Sequence, residues 1–204
     1  MSDSKVVHVI DDDVDVRQSL AFLLSAAGLA VRTHDSAVAF LKALPTLQDG
    51  CIVTDIRMPE MDGLELQKRL KEMKIDMPVI VITGHGDVHL AVSAMKSGAV
   101  DFIEKPFDDE ALLSAIQAAL TQHSDDRRRQ SLVAEVRKRL KALSEREKEV
   151  LNGLVAGKPN KIIAYELGIS ARTVEVYRAN VMTKMQADSL SELVRMVLLE
   201  SGTA

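Results

Sequence analysis

Three consecutive carboxylates, Asp11, Asp12 and Asp13, end the apolar run of residues 6–10, and Asp55, Thr83 and Lys105 each end another β-rich run. Adjacent like charges repel by about 1 kcal/mol or more at surface separations, so they call for a cation, a helix N-terminus or solvent. Three carboxylates suit a hard divalent cation, since Mg2+ typically takes a few carboxylates together with waters and phosphate oxygens. An ammonium and a hydroxyl opposite that cation suit an oxyanion. The chemistry indicated is phosphoryl transfer onto a carboxylate: Mg2+ and Lys105 neutralise the transferring group while an aspartate attacks. Asp55 is the expected acceptor. Asp13 directly precedes a helical pattern and is expected to cap it. Any one of these residues alone is more often structural, but five groups on one rim (Asp11, Asp12, Asp55, Thr83 and Lys105) point to a site.

The rim follows from the elements. The runs at 6–10, 30–34, 51–55, 78–83 and 101–105 read as strands. The fourth is nearly continuous in apolar residues, as a strand buried on both faces should be. Between strands, Val16, Leu20, Leu23, Leu24 and Ala27 keep helical spacing, as do Leu66, Leu70 and Met73, then Leu112, Ala115, Ile116, Ala119 and Leu120. Five β-α units predict an α/β fold with a doubly wound five-stranded parallel sheet and helices on both faces. Ligands in such folds sit at the carboxyl ends of the strands, where all five groups fall. The proline after Lys105 allows a cis bond, found at about 5–6% of X-Pro bonds in folded proteins, which would aim the lysine inward.

Composition divides the chain. The 204 residues are 47% hydrophobic, enough for one large or two small cores at roughly 100–200 residues per domain. No run of about 18 apolar residues is present to span a bilayer, and the first ten residues lack an export-signal layout; a cytoplasmic protein with no membrane association is expected. The single cysteine, Cys51, lies in an apolar run and is expected to be buried and inert. Residues 1–124 carry 11 Lys and Arg against 19 Asp and Glu, a balance of −8, whereas residues 125–204 carry 15 against 11, a balance of +4. The halves want different partners. The divide falls in "HSDDRRRQ", a charged stretch that suits a solvated linker or an exposed helix.

The second half is nearly all helical pattern. Ser144 with Glu147 three residues on forms a capping box. A helix from about Lys161 to Leu167 meets "GIS", where Gly168 permits a turn with positive φ and Ser170 caps a second helix, giving a helix-turn-helix. On that second helix Val174, Val181 and Met185 form an inward stripe with Tyr177, and Arg172, Glu175, Val176 and Ala179 share the outer face. Upstream, Val133, Val136, Leu140 and Leu143 predict a helix packed on its own domain.

Two resemblances follow. "IDDD", "VTDIRMPEMDG", "IVITGHGD" and "DFIEKPF" together resemble the receiver domain of two-component response regulators, a flavodoxin-like fold, over residues 1–122. That resemblance implies phosphorylation of Asp55 by a sensor histidine kinase. It also implies Mg2+ on Asp11 or Asp12, Asp55 and the backbone carbonyl of Arg57, with Thr83 and Lys105 on the phosphoryl oxygens. It places Phe102 at the aromatic switch position and His85 near the pocket. A homodimer would form on phosphorylation, with Val92, Lys96 and Asp101 as candidate contacts. "LSEREKEVL", "NKIIAYELGIS", "RTVEVYRANVMTKM" and "SLSELVRMVLLE" resemble the LuxR-type DNA-binding domain, all-α, over residues 143–204, with a helical linker at 123–142. That likeness sends the helix from Ala171 to Met185 into the major groove of double-stranded DNA, with RNA polymerase as a further partner. Arg172, Glu175, Val176 and Ala179 would face the DNA, the last three toward base edges, and Lys161, Thr173, Arg178 and Lys184 would meet phosphates. Glu175 and Ala179 depart from relatives with lysines there. Among such regulators the chain is most similar to those of nitrogen fixation.

Two rival classes weigh less. An aspartate-nucleophile phosphatase needs a second aspartate two residues after the nucleophile, where this chain has Arg57. A LuxR-type sensor of a diffusible ligand needs no acidic cluster with a lysine at strand ends.

Overall fold

The computed structural model describes residues 6–84 and 88–202. Two compact units divide between Asp125 and Asp126.

In the first unit, strands β1 (Val6–Ile10), β2 (Ala30–His34), β3 (Gly50–Asp55), β4 (Val79–Thr83) and β5 (Asp101–Glu104) alternate with helices α1 (Val14–Ala26), α2 (Ala37–Ala43), α3 (Gly63–Glu72) and α4 (Val88–Ser97), before α5 (Asp109–Lys141). All pairings are parallel, in the order β2-β1-β3-β4-β5. Successive strand side chains point to opposite faces, and both faces are covered. Ile10, Ile52, Val79 and Val81 pack with Phe40, Leu66, Leu70 and Ala94. Val7, Val9, Cys51, Val53, Ile80 and Ile82 pack with Leu20, Leu24, Leu112, Ile116 and Leu120. Such double burial explains the nearly unbroken apolar run of β4, and burying each large side chain contributes about 1.5–3 kcal/mol. Cys51 is fully buried, and burial pushes its thiol pKa up to about 12.

Beneath α2 lies an aromatic cluster: the His8 and His34 ring centroids are 5.7 Å apart, and Phe40 stands edge-on to both at 5.6 and 5.1 Å. His8 Nε2 donates to the Gln48 carbonyl at 2.9 Å, while His8 Nδ1 and His34 Nε2 are buried without a partner. Burial first, then the neighbouring His8, drops the His34 pKa to about 4, and burial lowers that of His8. A histidine with a lowered folded pKa contributes stability above its unfolded value, near 6.5, that is lost as pH falls toward the folded value. Taking His34 alone, urea unfolding of the first unit at pH 5 should show about 2 kcal/mol less stability than at pH 7. His34→Gln should flatten that dependence; an equally steep fall in the variant would count against the assignment.

The second unit comprises α6 (Glu145–Val155), α7 (Asn160–Leu167), α8 (Ala171–Met185), α9 (Leu190–Ser201) and the last turns of α5. Its core holds Val136, Leu143, Val150, Leu151, Ile163, Val174, Val181, Met185 and Leu193, with Leu140 packed against it. The Ser144–Glu147 capping box forms, Gly168 ends α7 at φ 64°, and Ser170 caps α8 through the Thr173 amide. The stretch expected as a helical linker, 123–142, runs within the 33-residue helix α5 as far as Lys141, and its part from Asp126 onward groups with the second unit. The reason is burial: Val136 is 5% exposed within that core.

Candidate functional site

The parallel topology brings the carboxyl ends of β1, β3, β4 and β5 to one rim. Asp11 follows β1 and is 3% exposed; Asp55 ends β3. Lys105, one residue past β5, extends its ammonium between them, with Nζ 3.0 Å from Asp11 Oδ2 and 2.9 Å from Asp55 Oδ1. The remaining carboxylate oxygens accept backbone amides, Asp11 Oδ1 from Asp13 at 2.9 Å and Asp55 Oδ2 from Arg57 at 2.6 Å. The Lys105 amide donates to the Thr83 carbonyl at 2.7 Å, which sets the height of the lysine against β4, and the Lys105–Pro106 bond is cis. Asp13 caps α1 through the amides of Asp15 and Val16.

Two carboxylates around one ammonium leave a net negative charge. Burial, with a contribution from the Asp55 charge, raises the Asp11 pKa; the Asp13 amide and Lys105 oppose this without cancelling it. Burial works to lower the Lys105 pKa, but hydrogen bonds and charges from Asp55 and Asp11 together outweigh it, so the pKa is raised and the ammonium persists. Repulsion between two hard oxygen donors is what a divalent cation relieves, and Mg2+ fits this donor set.

Ion pairs join three of the rim groups, Asp11, Asp55 and Lys105. Asp12 is exposed, because neighbours at a strand end point opposite ways. Among the described residues no three His, Cys, Asp or Glu side chains cluster as a metal site. Thr83 ends β4 with 1% exposure. Phe102 is half-buried against the cluster under α3 and α4. Val92, Lys96 and Asp101 are exposed, and Met95 and Val100, exposed at 48% and 43%, widen that face. His85 lies outside the described residues.

Two contributors escaped the sequence reading. Arg17 Nη1 donates to the Asp11 carbonyl at 2.6 Å, pinning the β1–α1 turn. A Cβ on Gly63 would stand 2.5 Å from the Asp55 carbonyl, so the start of α3 approaches the acceptor strand only with glycine there. Neither is signalled by periodicity, although the "MDG" turn marks the glycine.

On α8, Val174, Val181 and Met185 are fully buried and Tyr177 is half-buried. Arg172, Glu175, Val176 and Ala179 are exposed, as is Lys161; Thr173 and Arg178 are half-buried. Thr173 Oγ1 lies 2.8 Å from Ser170 Oγ. Lys184 has a partner within the protein: its Nζ is 2.7 Å from Oε2 of buried Glu147. Lys184, then the Ser144 amide, hold the Glu147 carboxyl below its usual value. Tyr165 and Ile162, exposed at 86% and 47% on α7, were not singled out from sequence.

A receiver-type rim on a 2-1-3-4-5 sheet, followed by a helix-turn-helix, defines a class, and family profiles agree with it: "Response regulator receiver domain" matches residues 7–117 and "Bacterial regulatory proteins, luxR family" matches residues 141–197. The chain belongs to the response-regulator family, as a two-component regulator with receiver and LuxR-type DNA-binding domains. It is 61% identical over 199 residues to the transcriptional regulatory protein FixJ of Azorhizobium caulinodans, covering 98% of this chain and 94% of that one. Among solved structures, response regulator StyR aligns with a TM-score of 0.83 at 42% identity, covering 95% and 98% of the two chains. Full-length FixJ from B. japonicum aligns with a TM-score of 0.63 at 52% identity, covering 97% and 98%. Receiver domains of this kind generally bind Mg2+ at the phosphorylation site. Among the described residues no helix is long and apolar enough to cross a membrane.

Proposed function

We propose that this regulator takes a phosphoryl group on Asp55 from a sensor histidine kinase and, so modified, dimerises on DNA to control nitrogen-fixation or oxygen-responsive genes. The observation that carries it is the Lys105 ammonium seated between Asp11 and Asp55 at the strand ends. An O–P bond forms at an Asp55 carboxylate oxygen as the donor histidine's P–N bond breaks, and the imidazole leaves. Lys105 and the Thr83 hydroxyl then contact phosphoryl oxygens. Asp11, Asp55 and the Arg57 carbonyl, with Asp12 beside them, would hold Mg2+, which supplies charge neutralisation when bound. Apart from its own phosphorylation and dephosphorylation the chain is no enzyme.

Movement of Thr83 toward the phosphoryl group favours an inward Phe102 and alters the face of α4 and β5. There Val92, Lys96 and Asp101 meet their copies in a two-fold dimer. Such a dimer presents two α8 helices to half-sites about one helical turn apart. Glu175, Val176 and Ala179 face base edges; Lys161, Thr173 and Arg178 meet phosphates, Arg172 flanks them, and Lys184 joins only by leaving Glu147. RNA polymerase is the downstream partner, and the place of action is the cytoplasm, where the DNA is. The nitrogen-fixation assignment rests on FixJ relatives 54–61% identical over nearly the full length.

Mass spectrometry after incubation with a small acyl phosphate, with and without Mg2+, tests the first step: one phosphoryl group should add, on Asp55, faster with Mg2+. No addition would overturn the reading. Sedimentation should show a phosphorylation-dependent dimer, and its DNA affinity should fall faster with salt than the monomer's, by about 0.9 in log–log slope for each added phosphate contact. Lys96→Asp should abolish dimerisation; a phosphorylated variant that still dimerises with unchanged DNA affinity places the contact elsewhere.

A further inference from the structure

The last turn of α8 is held from outside the helix-turn-helix. Arg139, on α5, donates from Nη1 to the Met185 carbonyl at 2.9 Å, while its Nε bonds Glu135 Oε1 at 3.2 Å, which fixes the guanidinium plane. The final four carbonyls of a helix lack intrahelical donors. Here the chain leaves α8 through Gln186 at φ 53°, the Gln186 and Ala187 amides bond the carbonyls of Thr183 and Met182, and Arg139 serves that of Met185. A cation at a helix C-terminus also complements the macrodipole. The side chain is 22% exposed and well shielded for an arginine.

The segment that carries Arg139 is anchored independently. Val136 and Leu143 lie in the same core as Val174, Val181 and Met185, and Arg137 Nε pairs with Glu200 Oε1 on α9 at 3.0 Å. All of these contacts fall on the second unit, yet Arg137 and Arg139 precede residue 141, where the luxR-family match begins.

We propose that Arg139 is a positioning residue for DNA recognition: the end of α5 is a working part of the DNA-binding unit and sets the axial position of α8 through its C-terminal carbonyl. The proposal rests on α8 being the DNA-reading helix. Arg139 itself needs no contact with DNA, since an error in the axial position of α8 shifts every side chain on its outer face together.

The test uses the full chain, phosphorylated with acyl phosphate, and the duplex that the wild-type chain selects from a random-sequence pool. Arg139→Met keeps the length and loses the donor and the charge. It should bind about tenfold more weakly, the size expected for one charge-assisted bond, with wild-type phosphoryl uptake. Hydrogen exchange should quicken at the amides of residues 183–187 and stay unchanged in α6. Arg139→Lys, which retains a cation, should fall between the two and carries the test if the methionine variant fails to accumulate. Arg137→Ala, removing an exposed pair, should stay within about twofold. Affinity of Arg139→Met within twofold of wild type overturns the proposal. So does a loss accompanied by equal quickening in α6 and α8, since that reports general instability. Val176→Asp separates the two readings: if it leaves affinity and selected sequence unchanged, α8 is not the reading helix, whereas a strong effect there with a silent Arg139→Met removes the positioning role alone.

Discussion

Asp55→Asn should fold to the same sheet and take up no phosphoryl group, from kinase or from small donor. The carboxamide matches the carboxylate in shape, and its oxygen can still accept the Arg57 amide that Asp55 Oδ2 accepts at 2.6 Å. What disappears is the anionic nucleophile and the charge that faces Lys105 Nζ across 2.9 Å. The structural cost should be about 1 kcal/mol, as for one polar interaction made neutral, while the chemical cost is total. Mass spectrometry should show one added group in the wild type and none in the variant, and donor treatment should no longer change the variant's sedimentation or DNA affinity. Equal stoichiometry in both chains would move the acceptor elsewhere.

The second large effect is structural. Gly50 opens β3 in register with Val6 of β1, and a Cβ there would stand 1.8 Å from the Val6 carbonyl oxygen and 2.8 Å from its carbon. Both obstacles are backbone, so no rotamer change relieves the collision. Strands β1 and β3 must part, exposing Val6, Val7 and Cys51, each at most 2% accessible. Gly50→Val should cost more than about 4 kcal/mol, in the range reserved for disrupted cores and backbone clashes. Near-ultraviolet circular dichroism and urea unfolding of the first unit should show it. An unfolding free energy within about 1 kcal/mol of wild type would mean that the strands pair less closely than described.

The central strands and their common rim were legible because β1, β3 and β4, covered on both faces, demand apolar β-rich runs, and the chemistry collects where those runs stop. Asp11, Asp55 and Lys105 were found that way. Asp12 was grouped with them because sequence adjacency does not show which of two neighbouring carboxylates points inward. The charged stretch from His123 read equally well as linker or helix; α5 continues through it because residues 109–141 contain neither glycine nor proline. The LuxR-type likeness set Lys184 toward DNA phosphates, and it is exposed on α8, but its ion pair lies 37 residues away at Glu147, beyond the reach of periodicity. Arg139 escaped for the same reason: a bond to a backbone carbonyl 46 residues on leaves no mark on residue type. Short α2, seven residues, offers too few turns for a period to emerge.

The thiol of Cys51 equips the protein with its own clock. It is the chain's only cysteine and sits on central strand β3 with no accessible surface. An alkylating reagent therefore reaches it only in molecules whose sheet has opened, and the thiolate that reacts forms readily only after burial is lost. Under brief, saturating labelling the modified fraction counts open molecules. The same count before and after phosphoryl uptake converts occupancy of the distant rim into a change in opening equilibrium, with no dye, tag or substitution introduced.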